Sequence, residues 1–298
     1  TPYGRGMCQE QFYSEDLIRL LDNKQELRRF LNDAKLSYVN YIEIDDISDS
    51  SEWDAFPCIV KPSNAQGQRG VQKVNNIKEL QESILNAKQF SSNNTAIIED
   101  FLDGVEISCN VLVSNGQIIF DTLSERLTYN DEYFGIPKGH VIPCVNIDEN
   151  ARKEAVELVH NVVKALDIKN GPLYFQMKAT TKGVKIIEIA PRLDGCHVWR
   201  LIKDATDRNF LTETIEVLLN DHKNTQPVVL KDSKYYELIF QHSEPSQTFQ
   251  EKRFPIPADA LYHEYRYSNG DSINIINGKK EVVGYYVAEF SKNKWVNE

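Results

Sequence analysis

A lysine enters a small polar loop in the stretch from Phe56 to Val71. The apolar residues before Lys61 are typical of a short strand, and the loop after it contains Gly67, Arg69 and Gly70. Such a loop can bring several backbone N–H groups near one point, and a cation beside them favours an oligophosphate. The lysine precedes the glycines, so this is not a Walker loop. An ordinary surface hairpin would give the same pattern, and this stretch alone leaves both interpretations open.

A second group of polar residues lies further downstream. Two apolar-rich runs flank Thr181-Lys182-Gly183, which predicts a hairpin with a three-residue loop. Thr180 would then pair with Val184. Gln176 and Glu188 would lie opposite each other, about 5 Å apart at Cβ. Oxygen atoms from an amide and a carboxylate, completed by water and phosphate, suit Mg²⁺. The alternative is a hairpin that merely has a polar face.

The end of that hairpin favours the metal-binding interpretation. Pro191 and Arg192 end the second strand and place a cation just beyond Glu188, where a phosphoryl group bridged by a metal would lie. The opposite face of the hairpin is expected to enter a core through Phe175, Met177, Ile187 and Ile189.

The order of these motifs resembles the ATP-grasp superfamily, and within it the branch of carboxylate–amine ligases and carbamoyl-phosphate-synthetase large-subunit-like proteins. The resemblance covers nearly all of residues 15 to 290. It is carried by Leu21-Asp-Asn-Lys24 with Leu27-Arg28, by Ile59-Val-Lys61-Pro62 with Gly67-Gln-Arg-Gly-Val71, by Ile98-Glu99-Asp-Phe-Leu102 with Gly104-Val-Glu106, and by Gln176, Glu188 and Pro191-Arg192.

The resemblance implies a binding site for ATP. The implied nucleotide contacts are Lys24, Lys61, Gly67, Arg69, Gly70, Glu99, Phe101, Leu102 and Glu106. The backbone of Phe101 and Leu102 would bind the adenine edge. Glu99 and Glu106 would lie on the ribose side.

The resemblance also implies Gln176 and Glu188 as metal ligands and Lys61 and Arg192 as catalytic residues. The implied ion is Mg²⁺, with Mn²⁺ as an alternative. The sequence departs from the family pattern at two positions: Gln176 stands where many members have glutamate, and Ala190 where an asparagine often adds a metal contact. We therefore expect one ion to be held more weakly, or its coordination to be completed by water.

The implied fold is α+β, with an antiparallel core and a smaller α/β lid. The expected divisions are an N-terminal helical and linker part (1–52), a lid (53–101) and a core subdomain (102–298). The chain begins with threonine, and a pre-ATP-grasp domain is expected before it in the natural protein.

The implied activity is an ATP-dependent ligation of a carboxylate, activated as an acyl phosphate, to an amine. Two alternatives stay open: a bicarbonate-using enzyme like carbamoyl-phosphate synthetase or a carboxylase, and a nucleotide-binding module with weakened catalysis. The expected partners are small carboxylates and amines. A homodimer is compatible with this interpretation.

Composition excludes other classes. The net charge is −10 and the pI about 5.2, which argues against a nucleic-acid partner. No apolar run is long enough to cross a membrane. The five cysteines form no Cys-x-x-Cys pair, which favours reduced thiols and a cytoplasmic location.

Three further features of the sequence support weaker predictions. Residues 15 to 36 are predicted to be one helical stretch, and Glu125 to Pro143 one long irregular stretch. Arg126 and His140 in the latter are candidates for binding a substrate carboxylate, although each is more often a surface residue. Cys196-His197 suggests a metal or a nucleophile, but no partner at ligand spacing supports it.

Overall fold

The computed structural model describes residues 13–65, 67–129, 133, 135–220, 226–231, 233–244, 247–274 and 280–296. The helices are α1 (Glu15–Asp22), α2 (Lys24–Asp33), α3 (Ile77–Phe90), α4 (Glu149–Ala165), α5 (Val198–Thr206) and α6 (Phe210–Leu218). The strands are β1 (Tyr41–Ile44), β2 (Cys58–Pro62), β3 (Gln72–Val74), β4 (Ala96–Asp100), β5 (Val105–Ser114), β6 (Gln117–Thr128), β7 (Pro137–Ile142), β8 (Gly171–Thr180), β9 (Gly183–Ala190), β10 (Tyr235–Ser243), β11 (Tyr262–Tyr265) and β12 (Glu281–Phe290).

The strands form two antiparallel sheets. The small sheet has the order β1-β4-β2-β3, and the large sheet has the order β11-β12-β10-β7-β6-β5-β8-β9. The predicted fold class, an antiparallel core with a smaller α/β unit, is confirmed. Strand β1 precedes the predicted lid boundary but pairs with β4, so the small sheet begins before residue 53. The division into 1–52, 53–101 and 102–298 stays a prediction.

Helix α3 covers one face of the small sheet. Asn76 caps its N-terminus, and the Asn76 side chain accepts hydrogen bonds from the backbone N–H groups of Lys78 and Glu79. Leu80, Ile84 and Ala87 are buried against the sheet. The apolar spacing also predicts a buried Ile77, but that prediction is wrong, because this first helical residue is 56% exposed.

Helices pack on both faces of the large sheet. Successive side chains of its central strands point to opposite faces, and apolar residues occur on both. In β5, Ile107, Cys109 and Val111 pack toward α1, α2 and α4, whereas Leu112 packs toward α5 and α6. The two faces thereby form two separate cores. Residues of β8 and β9 line a cavity together with residues of the small sheet.

Two sequence predictions about local structure are wrong. The helical stretch from 15 to 36 is two helices, because Asn23 ends α1 and its side chain caps the first backbone N–H groups of α2. The stretch from Glu125 to Pro143 is mostly strand, since β6 runs to Thr128 and β7 starts at Pro137. Residues 130–132 and 134 in between lie outside the described residues.

None of the helices in the described part of the chain has the length and apolar character needed to cross a bilayer.

Candidate active site

A cavity of about 120 Å³ lies between the two sheets. Its small-sheet side is formed by β2, β4 and the loop after β2, and its large-sheet side by β8 and β9. The lining includes Lys24, Ile59, Lys61, Gly67, Gln68, Val71, Glu99, Phe101, Leu102, Glu106, Gly135, Gln176, Lys178, Ile187 and Glu188. Four of the sequence motifs therefore meet in one place.

A buried charge cluster forms the small-sheet wall of this cavity. Arg28 on α2 donates through Nε to Glu99 Oε1 at 3.0 Å, and Lys61 Nζ lies 2.6 Å from Glu99 Oε2. Burial alone would raise the pKa of Glu99, but the two cations outweigh it and hold that pKa at about 2. Burial lowers the pKa of Lys61, and Glu99 opposes this effect. Two cations against one carboxylate leave a net positive charge beside the cavity, which suits an anionic ligand.

The loop after β2 is anchored at several points. Lys24 donates through Nζ to the carbonyl of Ala65 at 2.6 Å, and Gln68 donates to the carbonyl of Gly135, which lies between β6 and β7. Gly67 and Gly70 have φ values of +69° and +71°, a conformation that a residue with a side chain rarely adopts. The loop thus turns tightly beside the cation of Lys61, as the sequence predicts.

Arg69 differs from its predicted neighbours. Its side chain is exposed and lies outside the lining of the cavity, whereas Gly67 belongs to that lining. Its contact with a nucleotide stays a prediction.

The β8–β9 hairpin has a two-residue loop, so the predicted pairing of Thr180 with Val184 is wrong. Thr180 pairs with Gly183, which shifts the register by one residue. A β-bulge at Ile187 restores the register, and Gln176 lies opposite Glu188 as predicted.

The bulge has a consequence for Ile187. The sequence predicts this side chain in the core, but the core position is taken by Ile186, which is fully buried. Ile187 instead lines the cavity, as does Ile59 of the small sheet. Two branched apolar side chains from different sheets thus give this cavity an apolar surface, which a binding site for a flat heterocycle requires.

The amide of Gln176 has a defined orientation. Its Nε2 donates to Glu106 Oε1 at 2.6 Å, and a carboxylate can only accept, so the amide oxygen is the atom directed elsewhere. Glu106 also forms a buried ion pair with Arg126. No described residue donates a hydrogen bond to the carboxylate of Glu188. An amide oxygen and a carboxylate from facing positions therefore fit a hard cation such as Mg²⁺.

The segment between β4 and β5 connects the two sheets. Phe101 and Leu102 line the cavity, and Lys73 lies over the Phe101 ring at 4.2 Å. Gly104 follows with φ of +90°, and a Cβ atom there would lie 2.1 Å from the carbonyl oxygen of Ala179. The close approach of this turn to β8 requires glycine.

Arg192 and Ala190 lie at the other end of the hairpin. Arg192 is exposed, donates to the carbonyl of Leu193 at 2.9 Å, and lines a side cavity of about 120 Å³ together with Lys24, Glu188 and Ala190. Ala190 is buried and presents only a methyl group to this cavity. It supplies no oxygen atom beside Glu188.

A larger cavity of about 390 Å³ continues beyond Gln176 and Glu188. It is lined by polar groups that include Arg126, Tyr174, Arg192, Asp194, Cys196 and His242. Burial opposes the charge of Arg126, but Glu106 keeps the pKa of the guanidinium above its usual value. Burial also raises the pKa of Asp194, and it raises that of Cys196 to about 12.

Several polar atoms at this larger cavity have no hydrogen-bond partner among the described residues. Arg126 Nε, Asp194 Oδ2 and His242 Nε2 belong to residues that line this cavity, and His140 Nε2, which is buried, lies 3.9 Å from Asp194 Oδ2. Leaving such groups unpaired costs about 1–3 kcal/mol each. The polar side chains that line this cavity suit a polar ligand better than an apolar one.

Sequence reasoning missed three contributors. Arg28 appears in the first motif, but its pairing with Glu99 depends on two residues 71 positions apart. Ile187 reaches the cavity only through a bulge, and Lys178, whose Nζ lies 4.0 Å from Glu106 Oε2, belongs to no motif. The alternation of β8 places Lys178 on the face of Gln176, which is the one signal that could have identified it.

Comparison with known proteins agrees with the geometry. Residues 54–199 match the family model described as the ATP-grasp domain. The chain therefore contains an ATP-grasp domain, and its fold is the ATP-grasp fold. A solved L-amino acid ligase from Bacillus licheniformis superposes with a TM-score of 0.73 at 20% identity, over 92% of this chain and 68% of that chain.

The curated relatives of this chain include a synthase and a ligase. The chain is 25% identical over 182 residues to a carbamoyl phosphate synthase large chain from Thermoanaerobacter pseudethanolicus, covering 60% of this chain and 16% of that protein. It is 30% identical over 182 residues to a D-alanine–D-alanine ligase from Thermosipho africanus, covering 56% of this chain and 47% of that protein. The chain thus spans less than half of these curated relatives.

Proposed function

We propose that the protein is an ATP-dependent ligase that joins a carboxylate to an amine. The observation that carries this proposal is the meeting of Lys61, Gln176 and Glu188 around one cavity between two sheets. The neighbouring larger cavity, with its buried cation and carboxylate, provides room for the other substrates. The names of the related ligases support the same class.

In this proposal Lys24 and Lys61 bind the phosphates of ATP, and the part of the cavity lined by Ile59 and Ile187 receives the adenine. The backbone of Phe101 and Leu102 binds the adenine edge. Gly67 and Gly70 allow the loop backbone to approach the phosphates closely, with Arg69 nearby.

Glu106 and Glu99 have different parts in this site. Glu106 accepts hydrogen bonds from Gln176 and pairs with Arg126, so it fixes the amide orientation and retains an oxygen atom near the cavity for the ribose. Glu99 is shared between Arg28 and Lys61 and holds the lysine in place. Its predicted ribose contact would be additional to these two pairs.

Gln176 and Glu188 are the proposed ligands of Mg²⁺, with Mn²⁺ as an alternative. When bound, this ion would neutralise phosphate charge. Arg192 would neutralise the charge that develops on the transferring phosphoryl group.

The reaction needs no nucleophilic side chain. A carboxylate oxygen of the first substrate attacks the γ-phosphorus, and the bond between the γ-phosphorus and the ADP oxygen breaks. The amine nitrogen of the second substrate then attacks the acyl carbon, phosphate leaves, and the amine loses a proton to solvent. The protein positions the reactants and excludes water.

A phosphate-release assay tests this proposal. The protein is incubated with ATP and Mg²⁺ against pairs of amino acids and small carboxylates, and phosphate and amide products are measured. We expect Lys61→Met and Glu188→Gln to lower the rate about 100-fold or more. The matched controls, Lys78→Met and Glu82→Gln on the exposed face of α3, should leave it unchanged.

Other outcomes would point elsewhere. ATP hydrolysis stimulated by bicarbonate, without any amino-acid requirement, would favour a carboxylase-like or carbamoyl-phosphate-synthetase-like enzyme. Tight ADP binding without turnover on any substrate would favour a nucleotide-binding module, which the missing oxygen ligand at Ala190 supports.

A further inference from the structure

Three metal-ligating side chains meet at the inner end of the larger cavity. They are His140 on β7 and Asp194 and Cys196 in the segment after β9. One ligand atom from each, the imidazole nitrogen, a carboxylate oxygen and the thiol sulfur, lie within 4.8 Å of one another. His140 Nε2 and Asp194 Oδ2 are 3.9 Å apart.

Other groups hold two of these side chains in position. Ser124 Oγ lies 3.2 Å from His140 Nδ1, and the backbone N–H of Cys196 donates to Asp194 Oδ1 at 3.0 Å. Each of the two ligands therefore uses one polar atom for orientation and directs the other toward the centre of the group. Metal-binding histidines and carboxylates show this pattern of outer contacts.

The inward-facing atoms have no partner of their own. His140 Nε2 and Asp194 Oδ2 make no hydrogen bond within the described part of the chain, and their side chains are 0% and 6% exposed. Their separation of 3.9 Å is too long for a hydrogen bond, so each is a buried polar atom without a partner, which costs stability. A cation that both atoms coordinate would satisfy them.

We propose that His140, Asp194 and Cys196 bind a zinc ion, with a fourth position open toward the larger cavity. A mixed set of nitrogen, oxygen and sulfur ligands is typical of Zn²⁺, whereas Mg²⁺ prefers oxygen alone. Zinc–ligand distances of about 2.0–2.3 Å place tetrahedral donor atoms about 3.3–3.7 Å apart, so the group needs to close by about 1 Å.

The charges are compatible with this ion. Binding replaces the S–H bond of Cys196 by a sulfur–zinc bond and releases the proton to solvent, so that a thiolate and the Asp194 carboxylate balance the two positive charges. The nearby guanidinium of Arg126 is already paired with Glu106.

The fourth coordination position of the proposed zinc site faces the larger cavity. Asp194 and Cys196 line the larger cavity, whereas His140 is fully buried behind them. The fourth ligand would therefore be water or a donor atom of a molecule in that cavity. His197 takes no part, because it lies 3.2 Å from an Arg266 nitrogen and stacks on Tyr285.

Cobalt binding tests this proposal independently of any ligase activity. The full chain is stripped with a chelator and titrated with Co²⁺ in the absence of nucleotide. We expect a saturable thiolate-to-cobalt charge-transfer band, tetrahedral d–d absorption, and displacement of both by one equivalent of Zn²⁺ in the presence of excess Mg²⁺.

Variants assign the ligands. Cys196→Ser should abolish the charge-transfer band, and Asp194→Asn and His140→Gln should weaken Co²⁺ binding at least about 10-fold. Ser124→Ala, which removes only the outer contact, should weaken it about 10-fold. The control Cys58→Ala removes a buried thiol from the small sheet and should retain the band. Thermal unfolding of each metal-free variant establishes that it is folded.

The proposal is overturned if folded wild-type protein shows no saturable band, or if the band survives in Cys196→Ser. Competition by Mg²⁺ would equally overturn it, because the ion would then occupy Gln176 and Glu188. Failure of these tests would leave the ligase proposal intact, since that rests on phosphate release.

Discussion

The cavity between the two sheets and the larger cavity beyond Gln176 and Glu188 are the two ends of one cleft. Their buried carboxylates are paired in different ways. At the small-sheet end, where Lys61 lines the cavity, Glu99 is paired on both oxygens, with Arg28 and Lys61. At the far end, Asp194 uses one oxygen for a backbone N–H and leaves the other without a partner among the described residues. Both carboxylates are at least nine-tenths buried.

This difference distinguishes a buried carboxylate that stabilises the fold from a buried carboxylate that is directed at a ligand. A buried carboxylate with two cationic partners is internally complete, so removing it damages the fold. A buried carboxylate with an unpaired oxygen already costs stability and is retained for what it binds. Stability measurements can therefore distinguish the two ends.

The largest effect is expected for Glu99→Gln. The change leaves Arg28 and Lys61 buried next to a neutral amide, and we expect a loss of about 3–5 kcal/mol in the free energy of unfolding. Urea unfolding at neutral pH measures this loss, with Glu82→Gln on α3 as the exposed control. A loss below about 1 kcal/mol would mean that the three charges do not form a stable cluster.

The difference in unfolding free energy between wild type and Glu99→Gln should depend on pH. The pKa of Glu99 is lowered from 4.5 to about 2, so its contribution is complete above pH 4.5 and is lost as the pH falls toward 2. The stability difference between wild type and Glu99→Gln should shrink by about 3 kcal/mol across that window. Urea unfolding at several acidic pH values measures it. A difference that stays constant would contradict the assignment.

Asp194→Asn should have a smaller effect of opposite sign on the metal-free protein. The amide keeps an oxygen for the backbone N–H of Cys196 and removes an unpaired buried charge, so we expect a gain of up to about 1 kcal/mol. Urea unfolding of chelator-treated protein provides the value. A loss greater than about 2 kcal/mol would show that Asp194 is a structural partner instead.

The residues that meet at the small-sheet end were largely predictable from sequence because their motifs are short and local, whereas their contacts with a nucleotide and a metal stay predictions. Lys61 with its glycine loop, the Phe101-Leu102 segment and the pair Gln176 and Glu188 each follow from residues that are close in the chain or related by a hairpin. Even there, the loop length was wrong, and a bulge at Ile187 that leaves no clear mark in the sequence restored the pairing.

The far end was not predictable, since its residues come together only through the sheet order. His140 and Cys196 are 56 positions apart, and His140 lies on a strand that the sequence suggested was an irregular stretch. In the sequence the only histidine that adjoins Cys196 is His197, and no partner at ligand spacing supports a metal there. That histidine faces Arg266 and Tyr285.

The smallest effect is expected for Ala190→Asn, a change beside Glu188, which lines both ends of the cleft. Ala190 presents a methyl group beside Glu188, and the adjoining cavity of about 120 Å³ offers space for a longer side chain. An amide oxygen there would add a ligand for Mg²⁺, and we expect the Mg²⁺ concentration for half-maximal phosphate release to fall about fivefold, or about 1 kcal/mol. The matched control Ala190→Val adds bulk without an oxygen atom and should not lower it. Equal effects of asparagine and valine would mean that the cavity responds to volume, and that Gln176, Glu188 and water already complete the coordination of the ion.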